Sequence, residues 1–544
     1  MIRAISKTAK QFACAAALVL FAVSATAATL PQDCKNIQTD KGPLNGKLAL
    51  KGAVCEYRGI PYAAPPVGEL RFAQPKEHEP WTAPLDATKW GAKCPQSGMP
   101  MMSSNEPANE SCLYLNIWQP ITGEAPKPVM VFIHGGGFTL GSGAELFSSE
   151  KLAALGDVIA VTVNYRLGAL GFISHPALRD AEGHTGNYGL LDQLAAIKWV
   201  KRNAASFGGD PDNIMIFGES AGGMSVGLQL ASPLGKGQFN KASIQSGPAL
   251  MVNMTQEAAE QVGIKAAEKL GCADLKTAAE CLRKIPADTF VKSLPMALFF
   301  FANPGEENYY TGPVVDGYFL PDNPYLLFKN GKFNTDVKVI LGTNSDEATL
   351  LTTSRKTATK EELAATINND KILLREAFGI NPYDRDFLAA YPVTAYKTPG
   401  DAYNDIICDV AFTCPTRILA NLIVKWQPDV YLYYFSKAPA TQPPFGKFGA
   451  YHSAELAFIF RKFSILGMSF ETKENLAVSD KMIALWSSFA RTGTPAAPDT
   501  PEWPKYETAT EPYLHIDVKP VVEKQYRSER CKVLEENIKA GFEK

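Results

Sequence analysis

The chain has no block of lysine and arginine; 54 basic residues nearly cancel 56 acidic ones, for a net charge of −2. Nucleic-acid binding and polybasic membrane contact both need clustered positive charge, so neither partner is expected. Histidine is scarce, with six in 544 residues, and none stands in HExxH spacing. There is also no CxxC pair and no GxGxxG. Zinc sets and dinucleotide fingerprints depend on such spacings, so no metal and no cofactor is expected. No period repeats, no low-complexity tract interrupts the chain, and no flexible linker marks a boundary. Past the N-terminal region, no run reads as apolar enough to span a bilayer, so no stable membrane anchor is expected.

What is present begins with a processing signal. Arg3, Lys7 and Lys10 precede an apolar run over residues 12–23, and Ala25-Thr26-Ala27 offers a small-residue cleavage site. Residues 1–27 therefore read as a signal peptide, and 28–544 as one secreted or periplasmic domain. Of ten cysteines, Cys14 leaves with the signal. In an oxidising compartment the others are disulfide candidates before they are metal ligands. A hydrophobic share of 46% is enough for a large core and speaks against disorder.

Residues 129–133, 158–165, 214–217 and 241–245 are short apolar runs that read as buried strands. Between and after them, 192–203 and 220–230 read as helices. Alternating strands and helices imply a large, mostly parallel sheet with helices on both faces. From 250 to 335 and 350 to 440 the pattern loosens to helices and loops, with one strand at 337–341. These stretches read as helical insertions over the active site.

Gly218-Glu219-Ser220-Ala221-Gly222 fits G-x-S-x-G between a strand and a helix, the context this motif needs. A sharp turn there strains the serine backbone and crowds its neighbours, and glycines two before and two after remove the clashing Cβ atoms. The competing reading is a plain serine N-cap. Upstream, His134-Gly135-Gly136-Gly137-Phe138 follows a strand. Three glycines let backbone N–H groups approach a substrate oxygen, which a tetrahedral intermediate requires. No Lys-Ser/Thr follows, so a phosphate-cradling loop does not fit. His134 itself reads as a structural hydrogen-bonding residue.

With these motifs the chain resembles the type-B carboxylesterases, the family of cholinesterases and fungal lipases, built on the α/β-hydrolase fold. Further matches are Glu56-Tyr57-Arg58-Gly59-Ile60-Pro61, Glu110-Ser111-Cys112-Leu113-Tyr114-Leu115-Asn116, Asn164-Tyr165-Arg166-Leu167-Gly168, Phe207-Gly208-Gly209-Asp210-Pro211 and Gly312-Pro313-Val314-Val315-Asp316-Gly317. They run along most of the mature chain. The resemblance implies a serine hydrolase that cleaves small-molecule or polymeric carboxylic esters through an acyl-enzyme. A lipase or polyester hydrolase is the runner-up, and a non-catalytic binding protein on this fold the remote alternative.

The resemblance also implies the site. Ser220 is the nucleophile, His452 in His452-Ser453-Ala454-Glu455 the base, and Glu347 in Gly342-Thr343-Asn344-Ser345-Asp346-Glu347 the acid, with Asp346 as its fallback. Oxyanion donors fall on Gly136, Gly137 and Ala221. Glu219 and Ser246 support the reacting groups. Disulfides are implied for Cys94–Cys112 and Cys272–Cys281, and for Cys414–Cys531 less directly; Cys34–Cys55 is suggested by proximity, leaving Cys408 odd. Buried ion pairs are implied for Arg58 with Glu110 and Arg166 with Asp192. The Cys94–Cys112 loop holds no aromatic residue, unlike the choline-binding loop of cholinesterases. Phe299-Phe300-Phe301 is a candidate acyl pocket.

Overall fold

A computed structural model of the chain describes residues 33–96, 106–121, 126–294, 309, 312–378, 388–441, 446–465 and 468–542. The signal residues, the Phe299-Phe300-Phe301 run and part of the Cys94–Cys112 loop lie outside the described residues.

Eleven strands form one sheet. In chain order they are β1 (Lys47–Ala49), β2 (Val54–Pro61), β3 (Tyr114–Pro120), β4 (Lys127–Ile133), β5 (Ile159–Val163), β6 (Gly209–Glu219), β7 (Lys241–Gln245), β8 (Lys338–Asn344), β9 (Val430–Phe435), β10 (Pro512–Ile516) and β11 (Val521–Lys524). Their spatial order is β11-β10-β9-β8-β7-β6-β4-β5-β3-β2-β1. Every pairing from β5 across to β10 is parallel. The edges are antiparallel: β11 on β10, and β3, β2 and β1 beyond β5. The mostly parallel sheet expected from the strand–helix rhythm is thus its centre, where both faces are covered and strands read as unbroken apolar runs.

Each face carries its own core. On one side lie α1 (Tyr188–Asn203) and α2 (Ala221–Ala231), with Trp199, Leu228 and Ile244 fully buried. On the other lies α5 (Lys473–Thr492), whose Trp486 and Phe489 pack on Tyr431 and Tyr433 of β9. Helices between residues 256 and 293 enclose a third, smaller cluster around Phe72, Leu282 and Phe290. Strand β9 sits inside a stretch read as helix and loop. Its sequence Val430-Tyr431-Leu432-Tyr433-Tyr434-Phe435 is too short for its period to separate strand from buried helix.

The segment Pro399–Ile423 corrects a second expectation, being one helix long and apolar enough by composition to cross a membrane. The most apolar 18-residue stretch of it is 89% buried within the protein, so its apolar faces are already used as core. The whole segment consists of α3 (Pro399–Cys408), a π-helical turn Asp409–Thr413 and α4 (Cys414–Ile423). The last helix, α6 (Ser528–Phe542), packs on α4.

Disulfides join Cys34–Cys55, Cys94–Cys112, Cys272–Cys281 and Cys414–Cys531, and Cys408 is a buried thiol. Arg166 and Asp192 form the expected buried pair, 2.7 Å apart. The other expected pair is corrected. Arg58 binds Glu56, two residues back on the same face of β2, and stacks over Trp90. Glu110 is held instead by Arg71, which also donates to the carbonyls of Arg283 and Ile285.

Candidate active site

Strand β6 ends at Glu219 and α2 starts at Ala221, leaving Ser220 alone in the turn at φ 58°, ψ −126°. Such a backbone costs about 1–3 kcal/mol and persists only when its surroundings enforce it. They do so by contact. A Cβ on Gly222 would stand 2.0 Å from the Ile133 carbonyl oxygen, and one on Gly218 would stand 2.5 Å from that of Gly222. A Cβ on Gly247 would meet the Ser220 oxygen at 2.0 Å. The Ser220 N–H donates to Gln245 O at 2.9 Å, tying the turn to the end of β7. Ser220 is partly exposed while Glu219 and Ala221 on either side are buried.

The triple-glycine loop leaves the end of β4 beside this turn. A Cβ on Gly135 would lie 2.7 Å from Glu219 O and 3.0 Å from Ser220 Cβ. Gly136 and Gly137 take φ of 103° and 60°, open to glycine at little cost. The Gly136 carbonyl turns back to accept the N–H groups of Thr139 and Leu140. His134 is buried and stacks on Tyr165 at 4.4 Å, its Nδ1 2.8 Å from Gly135 O. Burial lowers its pKa to about 4, which fits a neutral structural imidazole.

The second half of the site comes from β8 and the loop after β9. Glu347 follows β8 and is fully buried. Its Oε1 accepts the Asn344 N–H at 2.7 Å, and its Oε2 lies 2.7 Å from His452 Nδ1. Asp346 points elsewhere, accepting the Ala450 N–H, so the structure brings Glu347 to the imidazole and not its neighbour. His452 Nε2 lies 3.2 Å from Glu219 Oε1, which sets the imidazole against the turn that carries Ser220. The imidazole therefore has a carboxylate at each nitrogen. Burial by itself would hold it neutral. Attraction to Glu219 and the hydrogen bond to Glu347 outweigh burial and raise the pKa above that of a free imidazole.

Glu455 is a residue that sequence reading left unassigned. It is buried, and it accepts from Gln245 Nε2 at 3.1 Å and Asn344 Nδ2 at 2.6 Å. Burial raises its pKa, and the Glu219 and Glu347 charges push the same way. The His-x-x-Glu spacing was its visible signal; the partners on β7 and β8 were not. Ser246 sits nearby at φ 48°, buried, its N–H on Gly342 O at 2.9 Å.

Chemically, the arrangement sets a serine hydroxyl at a helix N-terminus, beside glycine N–H groups, with an imidazole held by carboxylates. The model of the family described as "Carboxylesterase family" matches residues 33–534. The para-nitrobenzyl esterase of Bacillus subtilis (strain 168) is 34% identical over 502 residues, covering 91% of this chain and 97% of that one. The acylcarnitine hydrolase of Mus musculus and the cocaine esterase of Homo sapiens are each 34% identical over 526 residues, with 90% and 89% of the respective chains covered. Among solved structures, a PNB esterase superposes with a TM-score of 0.77 at 33% identity, over 93% of this chain and all of that one. A thermophilic PNB esterase gives 0.79 at 32%.

Proposed function

The chain belongs to the carboxylesterase family and is a carboxylic ester hydrolase, and from that premise we propose that Ser220, His452 and Glu347 carry out the cleavage. The observation that carries this reading is the 2.7 Å contact between Glu347 and His452 Nδ1, with the other imidazole nitrogen facing the Ser220 turn. In this scheme His452 Nε2 takes the proton as Ser220 Oγ attacks the ester carbonyl. The N–H groups of Gly136, Gly137 and Ala221 stabilise the developing oxyanion. As the intermediate collapses, His452 returns the proton to the leaving alkoxide, and the acyl group stays on Ser220. Water, deprotonated by His452, then releases the acid. Glu347 fixes the imidazole tautomer and offsets its charge. Glu219 and Ser246 act in support.

The relatives' names point to esters of different alcohols and acids. Small neutral esters, including those of crowded alcohols, are the proposed substrates. Export after removal of residues 1–27 is proposed from the basic and apolar start of the chain, and the four disulfides are compatible with an extracellular protein. Residues 28–544 are taken as a single domain.

Replacing Ser220 by alanine tests the scheme. Ester turnover should fall by on the order of 10⁶, as when such a unit is broken. Fluorophosphonate labelling should vanish, with thermal unfolding unchanged. Hydrolysis near the parent rate would remove Ser220 from the reaction.

A further inference from the structure

The long helix of residues 399–423 is broken by one π-helical turn, Asp409–Thr413. Single π-turns inside α-helices are rare and frequently sit at functional sites, and the extra residue in the turn offsets the side chains on either side of it. Here side chains at the turn reach His452 itself and the backbone next to Glu347. Cys408, just before the turn, accepts the Ala348 N–H at 3.3 Å on its Sγ. Ala348 is the first residue of the short helix that begins directly after Glu347. Phe412, inside the turn, sets its ring 4.8 Å from the His452 imidazole at an angle of 46°.

The turn is itself gripped from the far end of the chain. Asp409 is fully buried and accepts from Arg527 at 2.7 Å and Tyr391 OH at 2.6 Å. Arg527 and Arg530 both bind Asp405, one helical turn earlier. Cys414, the residue after the turn, is bonded to Cys531 of α6.

We propose that this π-turn, clamped by the C-terminal segment, is a positioning element for the Glu347–His452 pair, with Cys408 and Phe412 as its two positioning residues. The inference rests on the assignment of Ser220, His452 and Glu347 given above. The Glu347 and Glu219 carboxylates face the two ring nitrogens but leave the ring able to rotate about the line between them. The tilted Phe412 ring packed against the imidazole restricts that rotation. The Cys408 sulfur fixes the backbone from which the Glu347 side chain springs. A reacting imidazole displaced by an ångström loses up to about a hundredfold in rate, so both contacts bear on turnover rather than on binding.

The test uses the full-length enzyme and p-nitrophenyl butyrate, with rates expressed per serine titrated by a fluorophosphonate. Phe412→Leu keeps bulk and removes the flat ring. It should lower kcat by roughly tenfold, hold KM within about threefold, and move the alkaline-rising limb of kcat/KM down toward the free imidazole value of about 6.5 as the Glu347 contact loosens. Cys408→Ala should do the same more weakly, and Cys408→Ser, which restores an acceptor, should recover the parent profile. A change in KM alone would make Phe412 a substrate contact and overturn the proposal. So would a lower melting temperature with kcat and the pH limb unmoved. Should Phe412→Leu fail to fold, the Cys408 pair gives the same reading. Because Ser220→Ala is silent only if the assignment above holds, failure there is distinguishable from failure here.

Discussion

The serine side and the histidine side of this site are built by different means. Ser220 is placed by backbone packing within one part of the chain, from Ile133 to Gly247, through glycines with no room for a Cβ. His452 is placed by side chains from segments far apart: Glu347, Glu219, Phe412 and the buried network of Gln245, Asn344 and Glu455. The first is a steric problem solved by what is missing from the side chains. The second is an electrostatic one solved by what they carry. Tight backbone contacts tolerate no substitution but need no charge balance. A buried imidazole among three carboxylates must hold that balance, and each member shifts the others.

The largest separation of the two should come from Glu347→Gln. Its amide cannot serve as a charged partner to the imidazolium, and it favours the wrong tautomer, so kcat should fall by about 10⁴ while the Ser220 turn stays intact. Steady-state kinetics with a structure of the variant checks this; a loss of under tenfold would place the acid elsewhere.

Gly222→Ala attacks the other side without touching charge. The added methyl meets the Ile133 carbonyl at 2.0 Å, so the turn must open. Labelling by a fluorophosphonate should slow by roughly a hundredfold, and the melting temperature should drop, while the pH limb of the residual activity stays in place. A moved limb would show that the two sides are less separate than described.

Glu219→Gln should give the smallest effect, about tenfold in kcat, and the most specific one. The carboxylate at His452 Nε2 raises the imidazole pKa, so its removal lowers it. The base must be neutral to accept a proton, so activity rises with pH through that pKa, and the limb should shift to lower pH. A pH profile of kcat/KM on a neutral ester measures it. A limb that stays or rises would mean that Glu219 does not set the charge of His452.

The same contrast explains what could be read before the structure. The Ser220 turn was legible because steric demands leave glycines at fixed offsets, and Gly218, Gly222 and Gly135-Gly136-Gly137 all proved to be close contacts or positive-φ positions. The parallel centre of the sheet was legible because strands buried on both faces are unbroken apolar runs, as in β4 and β7. The outermost strands β1 and β11 were not, since partly or wholly exposed strands of three and four residues carry no such signature. Glu347 and His452 came only from resemblance. Nothing local in Ser345-Asp346-Glu347 says which carboxylate faces inward; the Ala450 N–H and Asn344 N–H decide it across the fold. Arg58 was mispaired by the resemblance: Glu56 on its own strand binds it, and Arg71 takes Glu110. Cys408 and Phe412 carry no motif at all.

The Asp409–Arg527 contact and the Cys414–Cys531 bond also impose an order in time. A chain made from its amino end holds the residues of β4, β6 and β7, and those of the Ser220 turn, long before Arg527 and Cys531 are added. The nucleophile's frame is therefore early and the clamp behind its base is late. A nascent or prematurely ended chain would hold the residues of the serine turn and a histidine side still lacking its last support. Full competence would then arrive only once Arg527 and Cys531 have taken their places.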